Sequence, residues 1–212
     1  MAPPDPLVIS YAALRKAVGI IGIALPVVVA LGALVLECPP ALQPTISDYY
    51  YTVMRGWFVG SLCAIGVFMF SYNGYANDRW DGRAGKSAFA FSILTALFPT
   101  AGEQVSSVAR YIGYFHFFCA SGLFLTLALF CWLFRRSDQP NPTPQKTLRN
   151  HIYLGCGVTI LACIGLIVLY GIFLRGSPVA AIRPVFWLET IAVWAFGFSW
   201  LVKGELKMFR DR

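Results

Sequence analysis

Apolar residues along this chain fall into six long runs separated by short polar segments. Three of them, AVGIIGIALPVVVALGALVL, YIGYFHFFCASGLFLTLALFCWLF and IYLGCGVTILACIGLIVLYGIFL, carry no Asp, Glu, Lys or Arg at all. An α-helix rises 1.5 Å per residue, so crossing a hydrocarbon layer of about 30 Å takes about 20 mostly apolar residues. The pattern predicts spanning helices at about 17–36, 56–73, 86–102, 111–134, 152–174 and 184–202. The third run, KSAFAFSILTALFPTAG, is the weakest: it is short and contains Pro99. Without it the chain would cross five times, and its C-terminus would change sides.

The basic residues decide between five and six. With the N-terminus in the cytoplasm, 13 of the 17 Lys and Arg residues fall in segments facing that side. They are Arg15 and Lys16, then Arg79, Arg83 and Lys86, then Arg135, Arg136, Lys146 and Arg149, and finally Lys203, Lys207, Arg210 and Arg212. The opposite side holds Arg55, Arg110, Arg175 and Arg183. Short loops with a Lys/Arg excess remain cytoplasmic. The expected fold class is therefore all-α: one integral membrane bundle over residues 1–212, with six transmembrane helices and both termini cytoplasmic. It would be a multi-pass protein of the inner or plasma membrane.

Composition agrees with this picture. The chain is 58% hydrophobic and 13% charged, whereas soluble domains carry about 25% charged residues. A net charge of +7 on a soluble chain would point to nucleic acid. Here the excess follows the sidedness of the loops, so membrane lipids are the expected partner and nucleic acid is not. Arg15-Lys16 followed by about 20 apolar residues resembles a signal peptide, but the run exceeds the usual ~7–15, so an uncleaved helix is expected. Five of the six cysteines lie in apolar runs and Cys38 has no loop partner. They read as packing thiols rather than disulfides or metal ligands.

An ionisable side chain within a span is costly and is a functional candidate by default. Only His116 and Glu189 qualify. Each lies about five residues into a helix that starts at the outer face, which places both about 7–8 Å below that boundary. If helices 4 and 6 are neighbours, the two can pair, with His116 as acid/base and Glu189 as its orienter. Ser47, Asp48, Glu103 and Arg110 collect at the same end and are candidate binding residues. Each candidate also has a plainer reading. The His–Glu pair can be a structural lock, and Ser47 or Asp48 a helix cap. Tyr49, Tyr50, Tyr51 and Trp57 fit an interfacial aromatic belt, and Arg55, Arg175 and Arg183 fit snorkelling to headgroups. Gly56-x-x-x-Gly60 and Ala195-x-x-x-Ser199 predict close helix packing within the chain.

Several chemistries do not fit. His151 starts helix 5 across the bilayer from His116, so the two cannot ligate one haem. Metal spacing, GxSxG and the P-loop are absent from the sequence, and no mid-membrane lysine offers a retinal site. No cofactor or metal is expected.

The segment PTISDYYYTVMRGWFVGSLCAIGVFMFSYNGY, residues 44–75, together with ALFPT at 96–100 and FGFSWLVKG at 196–204, resembles small bacterial polytopic membrane proteins. Over about residues 45–60 it is also similar to the Frag/DRAM/Sfk-like group. That resemblance implies a polytopic protein with a lipid-related role and carries no specific chemistry. Two functional expectations stand. One is an accessory or structural membrane subunit, working with a membrane-protein partner or as a homo-oligomer. The other is an outer-leaflet protein that binds or acts on a lipid or small amphiphile through His116 and Glu189. A proton pathway ranks behind both, because no acid lies at mid-membrane to continue it.

Overall fold

A computed structural model describes residues 11–72, 79–101, 106–136 and 143–204. Among these the chain forms six long helices: α1 (Tyr11–Leu36), α2 (Arg55–Phe70), α3 (Arg79–Leu97), α4 (Ser107–Leu133), α5 (Pro144–Leu169) and α6 (Pro184–Lys203). There is no strand among the described residues. Four helices are long and apolar enough to cross a membrane: α1, α4, α5 with its continuation to Leu174, and α6. α2 is apolar but has only 16 residues, and α3 carries Asp81, Arg83 and Lys86 in its first turns.

Each helix packs against its neighbours in sequence, and α6 returns to α1, so the six form a closed ring, with α4 and α6 also meeting across it where Phe130 packs on Trp200. Successive helices run in opposite directions, which sorts the connections onto two ends. One end holds Tyr11, whose hydroxyl donates to Ser71 O at 2.9 Å, and Arg15, whose Nη1 donates to Lys203 O at 3.4 Å. This end is called the basic end below. The other is closed by the α1–α2 connection, where the Phe186 amide at the start of α6 donates to Pro44 O at 3.0 Å.

Helix starts run past the apolar windows wherever the chain supplies a cap or a buried partner. α5 begins eight residues before its expected span, because Thr143 accepts from the Lys146 amide at 3.1 Å and Pro144 occupies the first turn. A proline there loses no helical bond. α3 begins at Arg79 rather than 86, and its first turn buries Asp81, which lies 3.6 Å from the Arg136 guanidinium.

The ring is tied most tightly by glycine and by aromatic rings. A Cβ added at Gly19 would lie 2.7 Å from Gly197 O, and one at Gly197 would lie 2.8 Å from Gly19 O. α1 and α6 therefore meet backbone to backbone, an approach that only residues without a side chain allow. Near the basic end Tyr72, Phe130, Phe134, Tyr153 and Trp200 interlock edge to face, with centroids 5.1 Å apart for Phe134–Trp200 and 5.3 Å for Tyr72–Trp200. Such pairs contribute about 0.5–1.5 kcal/mol each beyond their burial. The predicted Gly56-x-x-x-Gly60 contact is not made: a Cβ at either position meets nothing within 4 Å. Those two glycines face away from the bundle. On α6 it is Gly197, between Ala195 and Ser199, that makes the close contact, while Ser199 is buried and donates to Phe196 O.

Outward-facing side chains are large and apolar, including Val35, Phe117, Phe118, Leu161, Phe173 and Ile191. In water this surface would drive aggregation; against lipid tails it costs nothing.

Candidate functional site

The loop from Glu37 to Met54 does not lie over the end of the bundle as an open strap. It folds inward. Ile46 and Tyr49 are buried, at 4% and 0% exposure, and Ser47–Tyr51 form a single 3₁₀ turn. Groups on α6, at the end of α1 and just beyond α3 hold it. Glu37 at the end of α1 accepts from the Val53 amide at 3.0 Å, and α6 supplies the Phe186–Pro44 backbone bond. Beyond α3, the Thr100 hydroxyl donates to Asp48 Oδ1 at 2.7 Å, and the Tyr51 hydroxyl donates to Thr100 O. The fourth tie is Glu189, partway down α6, whose Oε2 accepts from the Ile46 amide at 2.6 Å. A buried amide with no partner is expensive, so a carboxylate aimed at it fixes the loop's depth.

Beneath this plug lies a cavity of about 50 Å³. Its walls come from α1, α2, α3, α4 and α6, and α5 contributes none of them. Leu62, Ile65, Leu123 and Leu127 are typical of the wall. Ile46 and Ser47 form the roof, and Glu189 and Thr95 are the other polar contributors. From Phe58 to Ile65, from Glu189 to Phe196 and from Ala120 to Leu127, the lining advances seven residues along each helix, so the cavity is about 10 Å deep. It is therefore narrow, dry-walled and polar at one end, because the carboxylate lies at the roof. The second Glu189 oxygen has no hydrogen-bond partner among the described residues.

His116 and Glu189 bond to different partners. His116 is buried at 1% exposure, and its Nδ1 sits 2.6 Å from Phe98 O at the end of α3. It does not line the cavity. Neither residue forms an ion pair among the described residues. Asp48 lies within electrostatic reach of both. Ser47 roofs the cavity, and Asp48 binds Thr100 instead of capping α2, which starts at Arg55 behind Met54. Arg110 is exposed on the first turn of α4, and Glu103 lies outside the described residues. Arg55 stays local, its Nε donating to Tyr50 O at 2.6 Å with its guanidinium 4.5 Å from the Tyr50 ring centre.

Sequence reasoning missed Tyr49. Three consecutive tyrosines suggest a belt, yet Tyr49 is wholly enclosed and packs on Phe186 at 6.2 Å between ring centres, while Tyr51 and Trp57 are exposed. Burial pushes the Tyr49 phenol above its usual range. It also missed Ile46, whose role depends on a bond to a residue more than fifty positions away. Among the described residues no cluster of His, Cys, Asp and Glu could hold a metal ion.

Fold and site together define a class: an all-helical bundle with four helices able to cross a membrane, enclosing an apolar cavity under an inserted loop. The chain matches no protein-family model, no curated protein and no solved structure.

Proposed function

We propose that this is a polytopic membrane protein of the inner or plasma membrane that binds a small apolar or amphiphilic molecule in its central cavity. In this reading all six helices cross the bilayer and the basic end is cytoplasmic. The α1–α2 loop then acts as a roof on the external side, and Glu189 meets the polar end of the ligand. The observation that carries the proposal is the cavity itself, apolar along its walls with one carboxylate at its roof. Small-molecule sites are commonly concave and apolar, with a few polar groups that fix orientation. Binding is favoured over catalysis because His116, the other ionisable group at this level, is held by Phe98 O and does not line the cavity.

A second reading, the accessory subunit, draws on α5. Only 11% of its span is buried, against 39% to 50% for α1, α4 and α6, so most of this helix is free to face lipid or another protein. The readings separate by extraction. Protein purified in mild detergent should release one defined small molecule to organic solvent, and Leu123→Trp, which fills the cavity, should release none. Equal release from both proteins, or nothing from either, would favour the subunit.

A further inference from the structure

The basic end carries a second feature, separate from the cavity. Arg15 on α1, Lys146 and Arg149 at the start of α5, and Lys203 at the end of α6 converge, with all three others within electrostatic reach of Lys203. Asp81 is within the same reach and is shared with Arg136 at 3.6 Å. Five cations thus surround one acid among the described residues. The imbalance persists in the whole sequence. The segments expected on the cytoplasmic side hold thirteen Lys and Arg residues against six Asp and Glu residues, an excess equal to the net charge of +7 for the entire chain. Like charges gathered this closely repel one another and raise the local positive potential, which an anion relieves.

Part of the cluster is explained by the fold. Lys146 Nζ donates to Phe134 O at 3.0 Å and to Arg136 O at 3.3 Å, completing the end of α4. Arg15 is not explained in this way. Its Nη1 reaches Lys203 O only at 3.4 Å, and its Nε is buried with no hydrogen-bond partner. The guanidinium is held 5.3 Å from the Tyr11 ring centre and 5.6 Å from that of Tyr72. It forms the polar lip of a shallow groove between α1 and α2 whose floor is Leu14, Val18, Phe68 and Trp200. A cation at the mouth of an apolar groove, on the side where the other cations gather, matches an amphiphile bearing an anion.

The geometry points to a phosphate-binding site at the basic end, centred on Arg15 and supported by Lys203, Lys146 and Arg149, that takes the headgroup of an anionic phospholipid with its first methylenes in the groove. Guanidinium binds phosphate through paired donors, and basic pockets between helix ends commonly hold anionic headgroups.

Thermal unfolding of the full chain in a neutral detergent tests this, with phosphatidylglycerol, phosphatidylcholine or sodium phosphate as the added probe. Phosphatidylglycerol should raise the midpoint saturably and phosphatidylcholine should not, and the shift should shrink with added salt. Arg15→Gln should weaken the apparent affinity by about fivefold. Arg149→Gln should do the same, and it keeps the test open if Arg15→Gln fails to fold. A shift from sodium phosphate equal to that from phosphatidylglycerol supports the phosphate site with a free ion as its source. Equal shifts from the two lipids, or an unchanged response in both variants, would overturn the proposal.

Discussion

Replacing Glu189 tests what holds the roof in place. In Glu189→Ala the Ile46 amide, buried at 4% exposure, loses the carboxylate that accepts its proton at 2.6 Å. Leaving a buried donor without its acceptor costs about 1–3 kcal/mol. The other ties of the loop, Phe186 to Pro44 O, Thr100 to Asp48 and Val53 to Glu37, do not involve this side chain, so the loop should loosen locally while the bundle holds. Because every 1.4 kcal/mol is tenfold in an equilibrium constant, exchange of the Ile46 amide should quicken by roughly tenfold to a hundredfold. Glu189→Gln keeps an acceptor in the same place and should cost less than about 1 kcal/mol. Hydrogen–deuterium exchange with fragment resolution across residues 42–54 reads both variants. An Ile46 amide that exchanges at the wild-type rate in Glu189→Ala would refute the assigned role.

Three further outcomes follow from the packing. Since His116 and Glu189 have separate partners, a cycle of His116→Ala and Glu189→Gln should be additive to within about 0.3–0.5 kcal/mol in detergent stability; a larger coupling would mean that the side chains meet. Gly19→Ala and Gly197→Ala each press a methyl group onto a facing backbone oxygen and should lower stability by about 1–3 kcal/mol. Gly56→Ala and Gly60→Ala, which open onto empty space, should be neutral or gain up to about 1 kcal/mol, and the same thermal scan checks all four. For Tyr49, whose phenol burial holds above its ordinary value near 10, the folded state retains its proton longer than the unfolded chain does. Stability should therefore be level through neutral pH and fall as pH climbs past about 10, and Tyr49→Phe should soften that alkaline limb in a pH series of unfolding midpoints.

The six helices were legible because lipid and water treat side chains so differently that a run of about 20 apolar residues has few other uses. Their polar extensions were not. The first turns of α3 and the start of α5 depend on Asp81 meeting Arg136 and on the Thr143 cap, which hydropathy does not register. An expected depth for His116 and Glu189 could be read because rise per residue is fixed. Which way each side chain turns could not, because each residue advances 100° around the axis and the choice of neighbour lies in the tertiary fold. His116 turned to the end of α3 and Glu189 to the inserted loop. The two small-residue motifs show the same limit: spacing alone does not tell a face that meets a helix, as around Gly197, from one that meets nothing, as at Gly56 and Gly60.

The central claim, that the cavity under the Ile46–Ser47 roof accepts a small apolar molecule, is tested most directly by titrating purified protein with 1-aminoanthracene, an apolar amine whose fluorescence rises in dry surroundings. The wild type should bind it saturably, and Leu62→Trp, which places an indole in the cavity, should bind it at least about tenfold more weakly while retaining its unfolding midpoint. Equal, saturable binding by both proteins would contradict the account.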